Sequence, residues 1–147
     1  MNGKGKFIFL DNSSYEGDFV NNKITGFGIL TAKNNEYTYI GEFKNGKKIG
    51  KGKIFYKNGS LLEGNFSDNL LEGQGKLTWE SGDVYKGEFK NGKREGKGTK
   101  TWVSGEFYQG NWKNEKFDGL GKLVHPTGES YEGEFKEGKR HGLGTKT

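Results

Sequence analysis

Hydrophobic and polar residues alternate in short stretches that recur along this chain. In "YKGEFK" from Tyr85 and "YEGEFK" from Tyr131, aromatic residues and Gly occupy the first, third and fifth places, and charged residues stand between them. This period of two is the pattern of a strand with one buried face. Asn91-Gly92 follows directly, as Asn45-Gly46 does in another stretch, and Asn-Gly favours a two-residue turn with positive φ at both residues. The pattern therefore predicts a β-hairpin.

The hairpin pattern forms a repeat. Its opening residues are spaced by 23, except that the first precedes the second by 24, and they are Tyr15, Tyr39, Leu62, Tyr85, Tyr108 and Tyr131. The longer first interval indicates one inserted residue near Asn34 or Asn35. Gly stands at the third, twelfth and fourteenth positions of every unit, and all 27 Gly fall on repeat positions. None is left for a separate phosphate-binding loop.

These observations predict the fold class and the domain organisation. Helices are excluded, because a Gly in a helix interior costs roughly 1 kcal/mol, whereas Gly beside aromatic residues in a strand leaves room for the rings. We expect an all-β fold, an elongated single-layer twisted antiparallel sheet of tandem 23-residue β-hairpin repeats. Residues 1–147 would form one array, with a partial repeat at 1–14, repeats beginning at 15, 39, 62, 85 and 108, and a partial repeat at 131–147. The end strands would expose unpaired backbone, so end-to-end self-association is a further expectation.

Composition narrows the class of protein. Only 29% of residues are hydrophobic, yet 14% are aromatic, which argues against disorder and requires the rings to pack together. The chain has no Cys and a net charge of +5, which permits association with anionic surfaces. No stretch approaches the roughly 18 to 20 apolar residues of a membrane span, so we expect a cytoplasmic protein.

The Y-x-G-x-[FW] opening, the later Gly-x-Gly and the 23-residue period resemble the MORN (membrane occupation and recognition nexus) repeat over essentially the whole chain. Departures are Leu62 in place of the opening Tyr, His125 in place of an aromatic residue, and the turn "SDNLLE" in the third unit. MORN arrays occur in membrane tethers, in phosphatidylinositol-phosphate kinases, in radial spoke heads of cilia and in cytoskeletal rings. The resemblance implies a scaffold or recognition module, with association to cytoskeleton, cilium or the cytosolic face of a membrane, and it does not fix the ligand.

A single-layer sheet has a face that its own chain does not cover, and aromatic residues on that face are natural anchors for a partner helix or extended peptide. We therefore predict a protein-interaction scaffold. The candidate partner-binding residues are Tyr39, Tyr56, Trp79, Tyr85, Trp102, Tyr108, Trp112 and Tyr131. The alternative is that these rings only stack on one another and close the face.

Basic residues cluster around the first turn of each hairpin, which predicts one basic edge along the array. An anionic leaflet would attract such an edge by about 1 kcal/mol per charge. The alternative function is therefore a peripheral membrane module that binds anionic phospholipids, including phosphatidylinositol phosphates, through Lys47, Lys48, Lys93, Arg94, Lys116, Lys139 and Arg140. Against it, the third unit interrupts the row with Asp68 and Glu72, and Lys is common on exposed edges simply as protection from aggregation.

Catalysis and cofactor binding are not predicted. The chain has two His and no Cys, and no pair of carboxylates lies in environments that would separate their roles as acid and base. We predict no catalytic residue, no metal site and no cofactor. Nucleic acid is an unlikely partner, because Glu42, Glu88 and Glu134 interleave with the basic residues and would repel phosphates.

Overall fold

The computed structural model describes residues 2–146, apart from the side chains of residues 142, 143 and 146. Residues 1 and 147, the two ends of the predicted array, lie outside the described residues. The chain divides into two compact units, Met1–Leu71 (unit 1) and Glu72–Thr147 (unit 2). The assignment of residues 1–147 to one continuous array stays a prediction.

Unit 1 consists of antiparallel strands in chain order. They are β1 (Gly3–Ile8), β2 (Ser14–Val20), β3 (Lys23–Thr31), β4 (Tyr37–Lys44), β5 (Lys47–Tyr56) and β6 (Leu61–Ser67). Each strand pairs with the next in the sequence. A short 3-10 turn, Lys33–Asn35, lies between β3 and β4, where the sequence indicates the inserted residue.

Unit 2 has the same construction. Its strands are β7 (Leu70–Thr78), which begins at the last two residues of unit 1, β8 (Val84–Lys90), β9 (Lys93–Thr101), β10 (Phe107–Lys113), β11 (Lys116–Val124), β12 (Ser130–Lys136) and β13 (Lys139–Lys146). They also pair antiparallel with their neighbours in the sequence. The prediction of an all-β antiparallel sheet of tandem hairpins is confirmed.

The tight turns have the predicted geometry. Asn45 and Gly46 have φ of 50° and 81°, and positive φ at both residues is what a type I′ turn requires. The third repeat departs from the Asn-Gly sequence, yet Asp68 and Asn69 adopt φ of 47° and 75°. The altered sequence of that turn therefore does not change its backbone.

The Tyr and Phe side chains form the core on one face of each unit. In unit 1 the ring of Tyr15 meets the edges of Phe19 and Phe43 at centroid distances of 5.2 and 5.3 Å. Gly28 lies directly beneath the Tyr15 ring, where a Cβ atom would come within 2.3 Å of Tyr15 Oη. The Tyr15 hydroxyl donates a hydrogen bond to the Asp18 carbonyl. Close approach of ring and backbone thus explains the Gly of the fourteenth position.

Hairpins in both units also contain a β-bulge that the sequence does not reveal. The register between β2 and β3 shifts between Gly17 and Phe19, and β8 and β9 show the same shift between Gly87 and Phe89. Bulges increase local twist and bend a strand.

No helix in the described part of the chain is long and apolar enough to cross a membrane.

Candidate functional site

The alternation of side chains gives each unit two different surfaces. The ring face carries the opening Tyr, the fifth-position Phe or Trp and the tenth-position side chains, because these are direct cross-strand partners, as Phe19 and Ile24 are in the first hairpin. The opposite surface, the groove face, carries the residues on either side of the central Gly, such as Ile40 and Glu42 on β4. The two faces are chemically distinct, and the candidate site residues divide between them.

Most of the residues predicted to bind a partner are buried by their own chain. Tyr39, Tyr85 and Tyr108 have no exposed surface, and Trp112 and Tyr131 are 4% and 6% exposed. Their rings pack edge to face with neighbouring rings, at 4.9 Å between Tyr85 and Trp112 for example. Within the units these five residues act as core, as in the alternative reading of the sequence, in which the rings close the face.

Burial also governs the ionisation of these phenols. Loss of solvent raises the pKa of Tyr39 to about 12, with the neighbouring Glu42 carboxylate adding to the effect. Burial raises the pKa of Tyr108 to about 12 as well, and it raises that of Tyr85 further. Each hydroxyl donates to a backbone carbonyl, at 2.9 Å from Tyr39 to Glu42. The phenols are therefore neutral structural groups.

The other three predicted residues keep accessible surface. Tyr56 is 36% exposed, and Trp79 and Trp102 are half-buried. Lys100 Nζ lies between the two indoles, 4.5 Å from the centroid of Trp79 and 4.8 Å from that of Trp102. Such cation–π contacts contribute about 0.5–2 kcal/mol. Part of the indole surface of both tryptophans is thus covered by a lysine of the same unit.

The predicted basic edge is divided between the two faces. Lys48 and Arg94 occupy the tenth position on the ring face, where the Lys48 residue is only 9% exposed and the Arg94 side chain 12%. Lys48 Nζ lies 5.5 Å from the Tyr39 centroid, and burial lowers the Lys48 pKa. Arg140 is exposed, with Cζ 5.0 Å from the Tyr131 centroid. Lys48 and Arg94 are therefore on the ring face of their units, as direct cross-strand partners of Phe43 and Phe89.

The basic residues divide between the two faces because the strand is pleated, so that neighbouring residues point to opposite faces. The ninth-position lysines point to the groove face, are exposed, and lie directly across the turn from a sixth-position lysine. The resulting lysine pairs are Lys44 with Lys47, Lys90 with Lys93, Lys113 with Lys116 and Lys136 with Lys139. Like charges directly opposite one another destabilise a sheet.

A contact between successive hairpins holds the tenth-position cations, and sequence reasoning missed it. Glu115, a turn residue with φ of 73°, accepts a hydrogen bond from Arg94 Nη2 at 2.9 Å and donates its N–H to the Arg94 carbonyl at 3.1 Å. In unit 1, Asn69 accepts from the Lys48 N–H at 2.9 Å and donates to the Lys48 carbonyl at 3.1 Å. Lys48 therefore has the backbone contacts of Arg94 but no carboxylate. The signal in the sequence is a non-Gly residue at the eighth position of the next repeat.

Shallow grooves follow the Gly rows on the groove face. In unit 1 a groove of about 570 Å³ has backbone of Gly41, Gly52 and Gly64 as its floor, and these glycines are cross-strand partners. The side chains that line this unit 1 groove are Phe27, Ile40, Lys51, Lys53, Phe55, Glu63 and Asn65. Sequence reasoning missed Phe27 and Phe55, although most repeats have Thr at the position of Phe55.

The corresponding groove of unit 2 is polar. Its floor is the backbone of Gly87, Gly98 and Gly110. The side chains that line this unit 2 groove are Gln74, Lys86, Lys97, Thr99, Gln109, Asn111 and Leu120. Leu120 supplies its one large apolar side chain among the described residues.

A contact between a His and a carboxylate lies on the surface of unit 2. His125 Nδ1 lies 3.0 Å from Glu106 Oε2, and both side chains are about one-third exposed in adjacent turns. No group of three or more His, Asp or Glu in residues 2–146 is arranged to hold a metal ion. The grooves are open, so none of them excludes water from a reacting group.

Comparison with protein families agrees with the geometry. The family model described as MORN repeat matches six times, at residues 15–37, 39–61, 63–84, 85–107, 108–130 and 131–147. A search of curated protein sequences gives no match. MORN repeats are modules associated with protein–protein or membrane interactions and are not known as enzymes. With six matches between residue 15 and residue 147, the chain belongs to the MORN repeat family.

Proposed function

We propose that this chain is a non-enzymatic protein-interaction scaffold that binds a partner helix or extended peptide in the unit 1 groove. The observation that carries the proposal is exposure of large apolar side chains on one face of unit 1. Phe27 is 58% exposed, Phe55 43% and Ile29 39%. Ile29 lies directly opposite Ile40, another residue of the groove. Adjacent exposed apolar residues of this kind mark interaction sites more often than isolated ones do.

The energetics favour an apolar anchor. Fully burying a Phe or Ile side chain contributes about 1.5–3 kcal/mol, and these residues are already partly buried, so each would contribute about 1 kcal/mol on binding. The Gly floor lets a partner approach the backbone closely, while Lys51 and Asn65 at the rim offer polar contacts. Anchors in a central pocket with a polar rim are the usual arrangement of an interface hot spot.

Of the residues predicted from the sequence, Tyr56, Trp79 and Trp102 retain the surface to contact a partner. We propose that Tyr39, Tyr85, Tyr108, Trp112 and Tyr131 support binding indirectly, by fixing the sheet that carries the grooves. Trp102→Ala would then weaken partner binding only if a partner also reaches the ring face, whereas loss of a buried Tyr would weaken it through loss of stability.

The test uses peptides selected from a displayed library on the intact chain, with affinity measured by fluorescence anisotropy. The Phe27→Gln, Phe55→Gln double variant should weaken binding of the selected peptides about thirtyfold, since it removes roughly 2 kcal/mol of apolar contact. Leu10 and Val20 are 106% and 49% exposed and lie outside the groove, so Leu10→Gln, Val20→Gln is the matched control. Equal binding to both double variants would refute the assignment of the groove.

A second candidate function is binding of anionic phospholipids, favoured by the lysine pairs of unit 2. Lys90 with Lys93, Lys113 with Lys116 and Lys136 with Lys139 place six exposed ammonium groups at the turn ends of successive hairpins. An anionic leaflet would relieve their mutual repulsion. Vesicles containing phosphatidylinositol phosphates, at near-physiological salt, should retain the wild type but not the Lys93→Glu, Lys116→Glu, Lys139→Glu variant. Equal retention of both would exclude the lysine pairs as a membrane contact.

The cellular location that fits either function is the cytoplasm, at the cytoskeleton, a cilium or the cytosolic face of a membrane. Imaging of a fluorescent fusion in its native cell tests this, and a diffuse signal with no enrichment at any of these structures would contradict it.

A further inference from the structure

The unit 2 groove differs from the unit 1 groove in charge. Lys76 on β7 lies directly opposite Lys86 on β8, and Lys97 follows on β9 within the same groove face. Lys122 lines its continuation on β11. Four ammonium groups thus lie along one Gly row. A neutral residue is also possible at such a position, as Thr99 shows.

Of these lysines, Lys122 has a carboxylate directly opposite it, that of Glu132 on β12. The salt bridges of the described residues involve other cations, and none includes Lys76, Lys86, Lys97 or Lys122. The nearby carboxylate of Glu88 instead accepts a hydrogen bond from the Lys97 backbone N–H at 2.7 Å. Because like charges directly opposite one another are unfavourable in a sheet, the Lys76–Lys86 pair costs stability that an anionic ligand would restore.

The neutral side chains of the groove indicate which anionic ligand fits. Gln74, Gln109 and Asn111 line it, and a carboxamide offers both donor and acceptor, as a peptide group requires. Single-stranded nucleic acid is recognised largely by stacking on aromatic rings, but the Tyr85, Tyr108 and Trp112 rings are buried on the other face. An apolar ligand would find Leu120 as its one large apolar contact among the described lining residues.

The dimensions match a short extended segment. From Lys76 on β7 to Lys122 on β11 is four strand spacings of about 4.8 Å each, or about 19 Å. An extended chain advances about 3.3 Å per residue, so about six residues span the row. Alternate side chains of such a segment point to opposite sides, which matches lysines on both sides of the Gly floor, as Lys86 and Lys97 are.

We propose that the unit 2 groove binds an extended, carboxylate-rich peptide segment of a partner protein, with Lys76, Lys86 and Lys97 neutralising its acidic side chains. The proposal rests on the proposed function, since it presumes an interaction scaffold, and it assigns the acidic part of the partner to a surface separate from the apolar groove of unit 1.

The test measures fluorescence anisotropy with a labelled peptide of alternating Glu and Ser, about ten residues long so that it exceeds the groove, at near-physiological salt. A peptide of alternating Gln and Ser is the uncharged control. The Lys86→Gln, Lys97→Gln variant should bind the acidic peptide about tenfold more weakly than the wild type, because two charge-assisted contacts are lost. Lys33→Gln, Lys57→Gln removes the same charge from exposed positions outside the groove, and it should change affinity less than about twofold.

Unchanged circular dichroism and tryptophan emission would establish that both variants fold. Three outcomes would overturn the proposal. They are equal weakening by the two double variants, equal binding of the Glu and Gln peptides, and retention on phosphatidylserine vesicles in the absence of peptide binding. The Phe27→Gln, Phe55→Gln variant should bind the acidic peptide normally, so failure of this proposal is distinguishable from failure of the apolar groove in unit 1.

Discussion

The contact between Arg94 and Glu115 yields the sharpest prediction about stability. Arg94 is a cation on the ring face, with Cζ 5.0 Å from the Trp79 centroid and 5.3 Å from that of Trp112. Its guanidinium is paired with Glu115 at 2.9 Å, while Nε is buried without a hydrogen-bond partner. Replacing Glu115 with Gln keeps the size and one acceptor but removes the charge.

The expected cost follows from the exposure of the two groups. A hydrogen bond to a charged group contributes about 1.5–3 kcal/mol, and leaving a fully buried charge without its partner costs about 3–5 kcal/mol. The Arg94 side chain is 12% exposed, but that of Glu115 is 42% exposed, so water partly screens the pair and can replace the carboxylate. We therefore expect Glu115→Gln to reduce the free energy of unfolding by about 1.5 kcal/mol, at the low end of the range for charged hydrogen bonds.

Urea unfolding followed by tryptophan fluorescence measures this directly. The chain has three Trp, and Trp79, Trp102 and Trp112 all lie in unit 2, so the signal reports the unit that carries the substitution. The same substitution in an Arg94→Leu background should cost less than about 0.5 kcal/mol, because the charge to be neutralised is gone. An equal cost in both backgrounds would refute the ion pair as the cause.

Unit 1 provides the reciprocal experiment. Asn69 holds the place of Glu115, but Lys48 lacks a carboxylate. Asn69→Glu should therefore stabilise unit 1 by about 0.5–1 kcal/mol, the range for a partly exposed pair. Because unit 1 contains no Trp, circular dichroism is the appropriate signal. A destabilised Asn69→Glu variant would show that the backbone contacts alone determine this position.

Three further predictions concern single positions. Lys48→Leu should stabilise the chain by about 1 kcal/mol in urea unfolding, because it replaces an unpaired buried charge with Leu, which the next repeat has at the same position as Leu71. A loss of stability would mean that the cation–π contacts of Lys48 outweigh the cost of burying its charge. Gly98→Ala should cost more than about 2 kcal/mol, since its Cβ would lie 2.3 Å from Tyr85 Oη, whereas Gly46→Asn, with φ of 81° and open space, should be neutral. Finally, buried Tyr39 has its pKa raised to about 12, above about 10 in the unfolded chain. Its contribution is thus complete below pH 10 and is lost between about pH 10 and 12 at about 1.4 kcal/mol per pH unit. Tyr39→Phe should reduce that alkaline slope, and an unchanged slope would contradict the assignment.

Local features of the fold could be predicted from the sequence because they depend on neighbouring residues. Alternation fixes which residues share a face, and Asn45-Gly46 specifies its turn almost alone. The turn at Asp68 and Asn69 shows that the backbone geometry tolerates other residues, with φ of 47° and 75°. The bulge near Gly41 is different, since nothing in the alternation marks where the register shifts.

The candidate site could be predicted only in part. The sequence places Tyr39 correctly in a row of rings, but its complete burial depends on Phe66 of the next repeat, 5.2 Å away. Lys47 and Lys48 look like one basic cluster in the sequence, yet the pleat sends them to opposite faces. In another repeat the tenth position holds the hydrophobic residue Ile24. That residue is the sign in the sequence that the tenth position faces the core. Positions that depart from the repeat consensus, such as Phe55, were the better guide to the surface.

The central claim is that a partner contacts the groove face and that the ring face serves as core. The most direct test is a two-dimensional 1H–15N NMR titration of the chain with a peptide selected on the wild type. The account predicts that amide signals of Phe27, Ile40, Gly52 and Phe55 shift with the bound peptide, while those of Tyr85 and Trp112 do not. Shifts confined to Trp79, Trp102 and their ring-face neighbours, with the unit 1 groove unchanged, would contradict it.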